Sequence, residues 1–444
     1  MKISGNITVN IERHPGGRAA LEVVRTLREK GCAAYIVGGA VRDMVLGREP
    51  GDFDVATDAE PKEITVIFPH TVPVGAQFGT ILVVVEGRPV QVSTLRKRPG
   101  EPVPSIEEAI LRDAELRDFT VNALFLDVEK KYIIDPLGGL EDVQSRLLRT
   151  ALDPVDILTD DPARILRAVR LAANNGLSLD GCLSEAMIDS SSHLMSVAPE
   201  RVRDELVRML TGHDPGRALE LMSEHDLLTF ILPEVEAMKG VRQPDCFHPE
   251  GDVYTHVKLM MGMLRNPVLV LALAALLHDV GKPLCRTKVD RIRFYRHDQV
   301  GAQLADDILK RLRFPNSVRA AVVACVENHM KFKDALEMRQ GTLKRLLSRK
   351  TFPVEMELHR LDCLASHGDM RTWEFLSEQY RIFLEEGSRP QPLLRGGDLL
   401  TLGFPEGPLI GQALGHIESL QLEGTIHTRE EALAEAERWK KVNG

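Results

Sequence analysis

The chain has 444 residues, of which 43% are hydrophobic, 27% charged and 5% aromatic, and its formal net charge is −9. This length predicts two to four domains with hydrophobic cores, and the composition is that of an ordinary globular protein. The N-terminus has no apolar signal segment and no run of 18 apolar residues occurs, so we expect a soluble, cytoplasmic protein without a membrane partner. The six cysteines are scattered without CxxC pairs, which indicates free thiols in a reducing compartment.

The acidic balance excludes a surface that is basic all over, but nucleic-acid binding needs only a local basic stripe. Clusters of basic residues occur at 96–98, 164–170, 201–208, 310–313 and 344–350. Each cluster alone is typical of a solvated face. Several of them on one side of the molecule would follow an RNA backbone.

The first chemical signal along the chain is a glycine pair between a strand and a helix. The apolar residues 35–37 predict a buried strand. The strand ends at Gly38 and Gly39, where missing side chains let backbone N–H groups approach a polyanion. Residues 40–47 predict a short helix whose positive N-terminal end faces the same anion, with Arg42 nearby.

A pair of carboxylates follows directly. After a turn at residues 49–51, Asp52 and Asp54 stand two positions apart on a predicted strand, and therefore on the same face. Two such carboxylates repel unless a cation lies between them, and hard oxygen ligands favour Mg²⁺. A glycine pair alone is usually a tight turn, and a lone DxD is usually a solvated strand end. Together, in this order, they predict a phosphate cradle beside a Mg²⁺ site, which is what nucleotidyl transfer needs.

The flanking segments predict a small mixed α/β unit. Residues 18–31 have helical periodicity and end at a glycine, and residues 61–69 predict a short helix. Residues 78–96 predict two strands around a turn at 86–88. The active face is expected at the strand ends.

The motifs GGAVRD at 38–43 and DFD at 52–54 resemble the head of the bacterial class II tRNA nucleotidyltransferases. These are the CCA-adding enzymes and their poly(A) polymerase relatives, in the polymerase-beta-like superfamily. The resemblance implies an α+β fold, with a small mixed α/β nucleotidyltransferase head followed by all-α neck, body, HD and tail domains. It implies a head at 1–148, a base-selecting and RNA-binding neck and body at 149–247, an HD domain at 248–375, and a tail contacting tRNA at 376–444.

Two departures from the family pattern lie between residues 91 and 110. Gln91 stands where the family usually has an acid, five residues before Arg96. An amide cannot carry the charge of a carboxylate, so only Asp52 and Asp54 are expected as direct metal ligands. Residues 97–110, with three prolines, are shorter than the flexible segment of members that add all of CCA. In this they are similar to relatives that add only CC.

Residues 116–123 (LRDFTVNA) resemble the family motif RRDFTxNA, with Leu116 in place of the first arginine. The resemblance implies that Arg117 pairs with triphosphate oxygens, and that Asp118 and Asn122 hold Arg117 and the ribose. The alternative is an ordinary helix N-terminus with a capping side chain.

Residues 160–167 (DDPARILR) resemble the nucleotide-selecting EDxxR helix, which is followed by a bracing helix similar to residues 199–206. Cytosine and adenine both offer an amine donor beside a ring-nitrogen acceptor. The Asp161 carboxylate could accept from the amine while the Arg164 guanidinium donates to the ring nitrogen, because the two residues lie on one helix face. Uracil and guanine invert both groups and would leave buried polar atoms unpaired, at about 1–3 kcal/mol each. Arg167 is expected to support Asp161 and Arg164 in binding the nucleotide. Without the head motifs, a capping aspartate with a surface ion pair would be the simpler interpretation.

The chemistry changes after His248. Six residues resemble the metal-binding set of HD domains, namely His256, His278, Asp279, His297, His329 and Asp362. Imidazole with carboxylate suits Mn²⁺, Ni²⁺, Fe²⁺ or Zn²⁺. Scattered histidines are usually structural, but the HD dipeptide at the end of an apolar helix, followed by GKP, favours a metal site. Such domains hydrolyse phosphomonoesters or cyclic phosphodiesters.

The resemblance therefore implies template-independent addition of C, A or both to the tRNA 3′ end, from CTP and ATP with Mg²⁺. The triphosphate would be held by Gly38, Gly39, Arg42 and Arg117. The short loop predicts addition of CC only. A poly(A) polymerase or A-adding enzyme, an HD phosphohydrolase with a degenerate head, and a non-catalytic RNA-binding protein stay open as alternatives. The HD metal and the oligomeric state are open as well.

Overall fold

The computed structural model describes residues 11–75, 79–96, 105–244, 248–249, 251–288, 292–385 and 391–443. It divides into two compact units, Met1–Met209 with Leu221–Ile231, and Leu210–Glu220 with Leu232–Gly444. The α+β fold class, with a small sheet in an N-terminal head, is confirmed. The finer division into four domains stays a prediction.

The first unit contains a seven-stranded sheet of order β3-β4-β5-β2-β1-β6-β7. The strands are β1 (Ala34–Val37), β2 (Asp54–Thr57), β3 (Thr71–Gly75), β4 (Thr80–Val85), β5 (Arg88–Thr94), β6 (Phe125–Asp127) and β7 (Tyr132–Ile134). Neighbouring strands are antiparallel, except that β2 and β5 are parallel. The predicted hairpin between β4 and β5 is confirmed. Its turn residues Glu86 and Gly87 have φ of 49° and 75°, as a two-residue turn between twisted strands requires.

The pairing of β1 with β2 positions the glycine turn. Val37, the last residue of β1, is the register partner of Asp54, the first residue of β2. Because the strands are antiparallel, the chain that leaves β1 at Gly38 starts beside the Asp54 backbone. The predicted helix follows as Gly39–Val45.

The remaining structure is mainly helical. In the N-terminal half the helices are Pro15–Glu29, Gly39–Val45, Pro61–Ile67, Ile106–Glu115, Gly139–Ser145, Pro154–Asp160, Ala163–Asn175, Gly181–Asp189, Pro199–Leu210, Pro215–Glu224 and Leu227–Ile231. In the C-terminal half they are Pro233–Glu236, Val253–Met263, Leu269–Leu277, Lys282–Cys285, His297–Arg311, Asn316–Asn328, Gln340–Leu347, Phe352–Ala365, Arg371–Glu385, Gly396–Thr401, Pro408–Leu422 and Arg429–Asn443. No described helix is long and apolar enough to cross a membrane.

Two short strand pairs add to the expected all-helical region. Strands β8 (Leu147–Leu148) and β9 (Ser178–Leu179) pair in parallel, and β10 (Arg286–Lys288) and β11 (Ile292–Phe294) form an antiparallel pair. Two or three residues are too few to show an alternating pattern in a sequence. The prediction of an all-helical region therefore missed these two strand pairs.

The helix Ala163–Asn175 shows how the core orients side chains of the expected site. Ile165, Leu166 and Val169 are fully buried, and burial of each such side chain contributes about 1.5–3 kcal/mol. Arg164 and Arg167 lie on the opposite face and line a cavity. The core therefore sets the direction in which both guanidinium groups point.

A glycine substitution tests the packing beneath the sheet. A Cβ on Gly139 would lie 2.2 Å from the backbone oxygen of Thr120, whereas a Cβ on Gly181 would meet nothing within 4 Å. Both glycines begin a helix. We expect Gly139→Ala to lower the free energy of unfolding by at least about 2 kcal/mol, because neither the backbone of residue 139 nor that of Thr120 can move away. The matched Gly181→Ala should be neutral or slightly stabilising. Thermal unfolding followed by circular dichroism compares the two, and equal midpoints would contradict the packing described.

Candidate active site and metal centre

A cavity of about 280 Å³ lies where β1, β2 and β5 meet the helices of the first unit. Of the predicted site residues, it is lined by Gly38, Gly39, Asp54, Arg117, Asp118, Asn122, Asp161, Arg164 and Arg167. It is also lined by Arg96 and Arg201, so five arginines converge on one space. Such a concentration of guanidinium groups suits a polyanion.

The two candidate metal ligands stand at the start of β2. Asp54 is the first residue of the strand, whereas Asp52 precedes it, so the expectation that both lie on the strand is right for Asp54 only. The alternation nevertheless holds, since Phe53 is buried between an exposed Asp52 and a half-buried Asp54. Burial raises the pKa of Asp54, Arg117 lowers it, and the charge of Asp52 raises it further. A cation between the two carboxylates would remove this repulsion.

The glycine turn leaves room between the acid and an arginine. Gly38 has φ of +74°, and a Cβ there would lie 3.6 Å from Arg117 Nη1 and 3.9 Å from Asp54 Oδ2. Only glycine adopts this conformation without strain. The turn thus keeps open the space in which a phosphate group would meet both side chains.

Arg42 is placed behind this turn and not among the residues that line the cavity. Its buried guanidinium donates through Nη1 to Asn122 Oδ1 at 2.7 Å and through Nε to Asp43 Oδ1 at 2.8 Å. The guanidinium also lies 3.4 Å from the position of a Cβ on Gly39. Arg42 therefore braces the turn and adds positive charge beneath it.

Arg117 and Asp118 are each held by a partner. Arg117 donates through Nε and Nη2 to Asp113 Oδ2, at 2.9 and 2.7 Å. Asp118 lies 2.7 Å from Arg167 Nε and accepts from Asn122 Nδ2 at 3.2 Å. Burial opposes ionisation of Asp118, but Arg167 and the Asn122 bond bring its pKa below the usual value. The sequence analysis missed Asp113, although its position four residues before Arg117 was a usable signal.

The two candidate base-reading residues have separate partners. Asp161 accepts two hydrogen bonds from Arg201, at 2.9 and 2.7 Å. Arg164 donates to the backbone oxygen of Ile157 at 2.9 Å and pairs with Asp160 at 3.2 Å. Burial raises the pKa of Asp161, but the Arg201 bonds lower it overall, so its carboxylate stays an acceptor. Arg201, on the helix that was expected to brace the pocket, orients this carboxylate.

The second unit brings together all six residues of the predicted HD set. They form two groups, His256 with His278 and Asp362, and Asp279 with His297 and His329. Within each group the candidate ligand atoms lie within 4.8 Å of one another.

The histidine tautomers in this cluster suit metal binding. Nδ1 of His278, His297 and His329 each lies 2.6–3.0 Å from the backbone oxygen three residues earlier. An oxygen can only accept, so each Nδ1 carries a hydrogen, and in the neutral imidazole each Nε2 keeps a lone pair. Burial lowers the pKa of His329 to about 4, so this imidazole is neutral near pH 7. His297 Nε2 and His329 Nε2 nevertheless lie only 3.2 Å apart, an arrangement that a shared cation stabilises.

Asp279 connects the two groups. Its Oδ2 lies 3.2 Å from His278 Nε2, while its Oδ1 lies 3.5 Å from His297 Nε2 and 3.8 Å from His329 Nε2. Burial opposes ionisation, but His278 and Lys282 hold the pKa of Asp279 well below its usual value. One ionised carboxylate therefore offers an oxygen to each group, and the donor set fits divalent cations.

The first-unit cavity, with its glycine turn, Asp54 and converging arginines, and with Asp52 just before the strand, is typical of a nucleotidyltransferase, and the second unit adds an HD-type centre. Comparison with known families agrees. The poly A polymerase head domain matches residues 34–149, the probable RNA and SrmB-binding site of polymerase A matches 176–239, and the HD domain matches 252–366. Both catalytic domain types imply dependence on a divalent metal.

Whole-chain relatives identify the family. The CC-adding tRNA nucleotidyltransferase of Thermus thermophilus is 34% identical over 92% of this chain and 94% of its own length. The CCA-adding enzyme of Anoxybacillus flavithermus is 29% identical over 96% of this chain and 97% of its own. The crystal structure of the Bacillus stearothermophilus CCA-adding enzyme in complex with CTP superposes with a TM-score of 0.70, at 25% identity, covering 97% of this chain and all of that one. The chain belongs to the tRNA nucleotidyltransferase family of CCA- and CC-adding enzymes.

The aspartate pair can be tested directly. We expect Asp52→Ala and Asp54→Ala each to reduce nucleotide incorporation at least about 100-fold, since a lost metal ligand removes several kcal/mol of transition-state stabilisation. Glu49→Ala removes an exposed carboxylate just before the turn and serves as the matched control. Incorporation of labelled CTP into a tRNA transcript lacking CCA gives the measurement. Near-normal activity of either aspartate variant would rule out this metal site.

A second variant tests the orientation of Asp161. We expect Arg201→Met to lower the preference for CTP over UTP about tenfold, because the carboxylate loses two charged hydrogen bonds. The control is Arg203→Met on the same helix, whose guanidinium pairs with Asp204. The ratio of kcat/KM for the two nucleotides provides the measurement. An unchanged ratio would show that Arg201 does not act on base selection.

Proposed function

We propose that this nucleotidyltransferase adds cytidine from CTP to the 3′ end of tRNA and stops after the second C. The observation that carries nucleotidyl transfer is the single cavity in which Asp54, the Gly38 turn and Arg117 face one another. The named activity of the Thermus thermophilus relative supports the restriction to CC. The length of one connection in the head supports it independently.

That connection joins β5 to the helix Ile106–Glu115. The helix begins after its cap Ser105, which accepts a hydrogen bond from Glu108 N. It therefore includes the last part of the 97–110 segment, and residues 97–104 lie outside the described residues. The prediction of CC addition falls on these residues, because three prolines in their sequence would restrict a loop that had to reshape the pocket from C to A.

In the proposed reaction, the 3′ hydroxyl of tRNA attacks the α-phosphate of CTP. The new P–O bond forms as the bond to pyrophosphate breaks. Asp52 and Asp54 would hold Mg²⁺, whose chemistry is to favour loss of the hydroxyl proton and to stabilise the negative charge that develops. The backbone N–H groups of Gly38 and Gly39 bind phosphate oxygens together with the Arg117 guanidinium.

The protein provides the template for base choice. Asp161 accepts from the exocyclic amine of cytosine, and Arg164 donates to the ring nitrogen beside it. Arg201 keeps the Asp161 carboxylate ionised and oriented. Arg167, paired with Asp118, adds charge between the base and the triphosphate, and Asn122 reaches the ribose. The complex of the Bacillus stearothermophilus enzyme with CTP supports this choice of nucleotide.

The partners follow from the same reaction. They are CTP and the tRNA 3′ end, which would contact residues 149–247, with their basic clusters at 164–170 and 201–208, and the tail at 376–444. A cytoplasmic location suits these substrates. The five cysteines described, all free, agree with a reducing compartment, and Cys246 lies outside the described residues.

For the second unit we propose a metal-dependent phosphohydrolase centre in which His256, His278 and Asp362 would hold one divalent cation and Asp279, His297 and His329 would hold a second. Asp279 Oδ2 lies near His278 and Oδ1 lies near His297, which supports a carboxylate that serves both groups. The mixed imidazole and carboxylate donors suit Mn²⁺, Ni²⁺, Fe²⁺ or Zn²⁺. Each cation would supply a Lewis acid for a phosphate ester and would activate a water molecule.

Restriction to CC is tested with a transcript that ends in CC. We expect no efficient incorporation of ATP into this transcript, while a transcript lacking CCA should accept two cytidines from CTP. The transcript that ends in CC, incubated with CTP, shows whether a third cytidine is added. Efficient addition of a terminal A would return the protein to the full CCA-adding or A-adding class, and repeated A addition would favour a poly(A) polymerase.

The two-ion centre is tested by metal content. We expect about two ions per chain after loading with Mn²⁺, and one or fewer in Asp279→Asn, because the amide provides one weak acceptor in place of a charged bridge. Asp298→Asn, a carboxylate beside the ligand His297 but outside both groups, serves as the control. Mass spectrometry of the dialysed protein gives the count. Two ions in Asp279→Asn would contradict the bridging role.

A further inference from the structure

A second cavity, of about 570 Å³, lies beside the HD centre and includes Asp279, His297 and His329 in its wall. Two further polar residues of this wall, Gln243 and Lys282, belong to neither metal group. Both are buried, with 2% and 6% of their surface exposed. The following inference rests on the proposed phosphohydrolase centre and concerns what these two residues do there.

Lys282 forms an ion pair with Asp279. Its Nζ lies 2.6 Å from Asp279 Oδ2, 2.6 Å from Gln243 Oε1 and 5.5 Å from the centre of the Phe294 ring. An ammonium group can only donate hydrogen bonds. The amide oxygen of Gln243 must therefore face Lys282, and this chemistry settles the orientation of the amide.

The other end of the Gln243 amide is left as a donor. Nε2 is buried and has no hydrogen-bond partner among the described residues. A buried donor without a partner costs free energy, and such groups are rare in folded proteins unless a ligand satisfies them. Gln243 lines the same cavity as Asp279, His297 and His329, and during hydrolysis this cavity would contain a phosphoryl group whose oxygens only accept.

We propose that Gln243 binds a phosphoryl oxygen at the HD centre through Nε2–H, while its Oε1 keeps Lys282 against Asp279. The ligand is a phosphate monoester or inorganic phosphate, which share this acceptor. One side chain thus connects substrate binding to the carboxylate that faces both metal groups. No covalent step is assigned to Gln243.

Two substitutions remove the Nε2–H donor, one with added charge and one without. Gln243→Glu keeps an oxygen for Lys282 but has no N–H group, whereas Gln243→Met removes both functions without adding charge. Gln299→Glu is the matched control, because Gln299 Oε1 also accepts from a cationic side chain, Arg296 Nε at 2.7 Å. Gln299 is exposed and is not part of the cavity wall.

The experiment uses the full chain loaded with Mn²⁺ and titrated with inorganic phosphate in a calorimeter. We expect both Gln243 variants to bind phosphate at least tenfold more weakly than the unmodified protein, and Gln243→Glu, which keeps the oxygen that faces Lys282, to retain the metal content of the unmodified protein. Gln299→Glu should bind phosphate normally. Phosphate and p-nitrophenyl phosphate, used in parallel, distinguish the free anion from the ester.

Three results would overturn the inference. The first is phosphate affinity within twofold of the unmodified protein in Gln243→Glu. The second is a loss in Gln243→Glu alone, because added charge would then be the cause. The third is a metal-loaded chain that does not bind phosphate, which overturns the role of Gln243 but not the metal centre. A chain that binds no metal would overturn both.

Discussion

The antiparallel register of β1 against β2 is the constraint on which the nucleotidyl-transfer site depends. It pairs Val37 with Asp54. It therefore places the glycine turn after Val37 beside the carboxylate of Asp54, although a helix and a loop separate the two in the sequence. A slip of one residue would turn every side chain of the strand to the opposite face. Phe53 and Val55 are both buried, and such a slip would remove each of them from its present packing.

Around this register, charged side chains are held in place by partners that do not themselves react. Asp113 holds Arg117, and Arg201 holds Asp161. The Arg117–Asp113 pair is largely buried and Arg201 is more exposed, but each pair limits the freedom of a long side chain before a nucleotide arrives. Preorganisation of this kind lowers the cost of binding and of charge development. A protein that reads a base without a template needs this stiffness, because discrimination depends on small differences in hydrogen-bond geometry.

The HD centre applies a related principle to metal ions. Backbone oxygens determine the tautomers of His278, His297 and His329, and so their free nitrogens point inward before any ion is bound. Asp279 faces both groups of ligands, and Lys282 limits its movement. The two units thus carry separate charged centres, one rich in arginine for a triphosphate and one rich in histidine for cations.

The sequence by itself determined which residues take part. The order of glycine pair, short helix and DxD, the LRDFTVNA and DDPARILR segments, and the HD dipeptide with its further histidines were all visible as local patterns. Such patterns depend on spacing along one strand or helix, which the chain sets without long-range contacts. Tertiary structure alone decided how they meet. It placed Arg42 behind the turn, gave Asp161 a partner forty residues away in Arg201, and directed the oxygens of Asp279 toward both histidine groups. These contacts join segments far apart in sequence, and no local period encodes them.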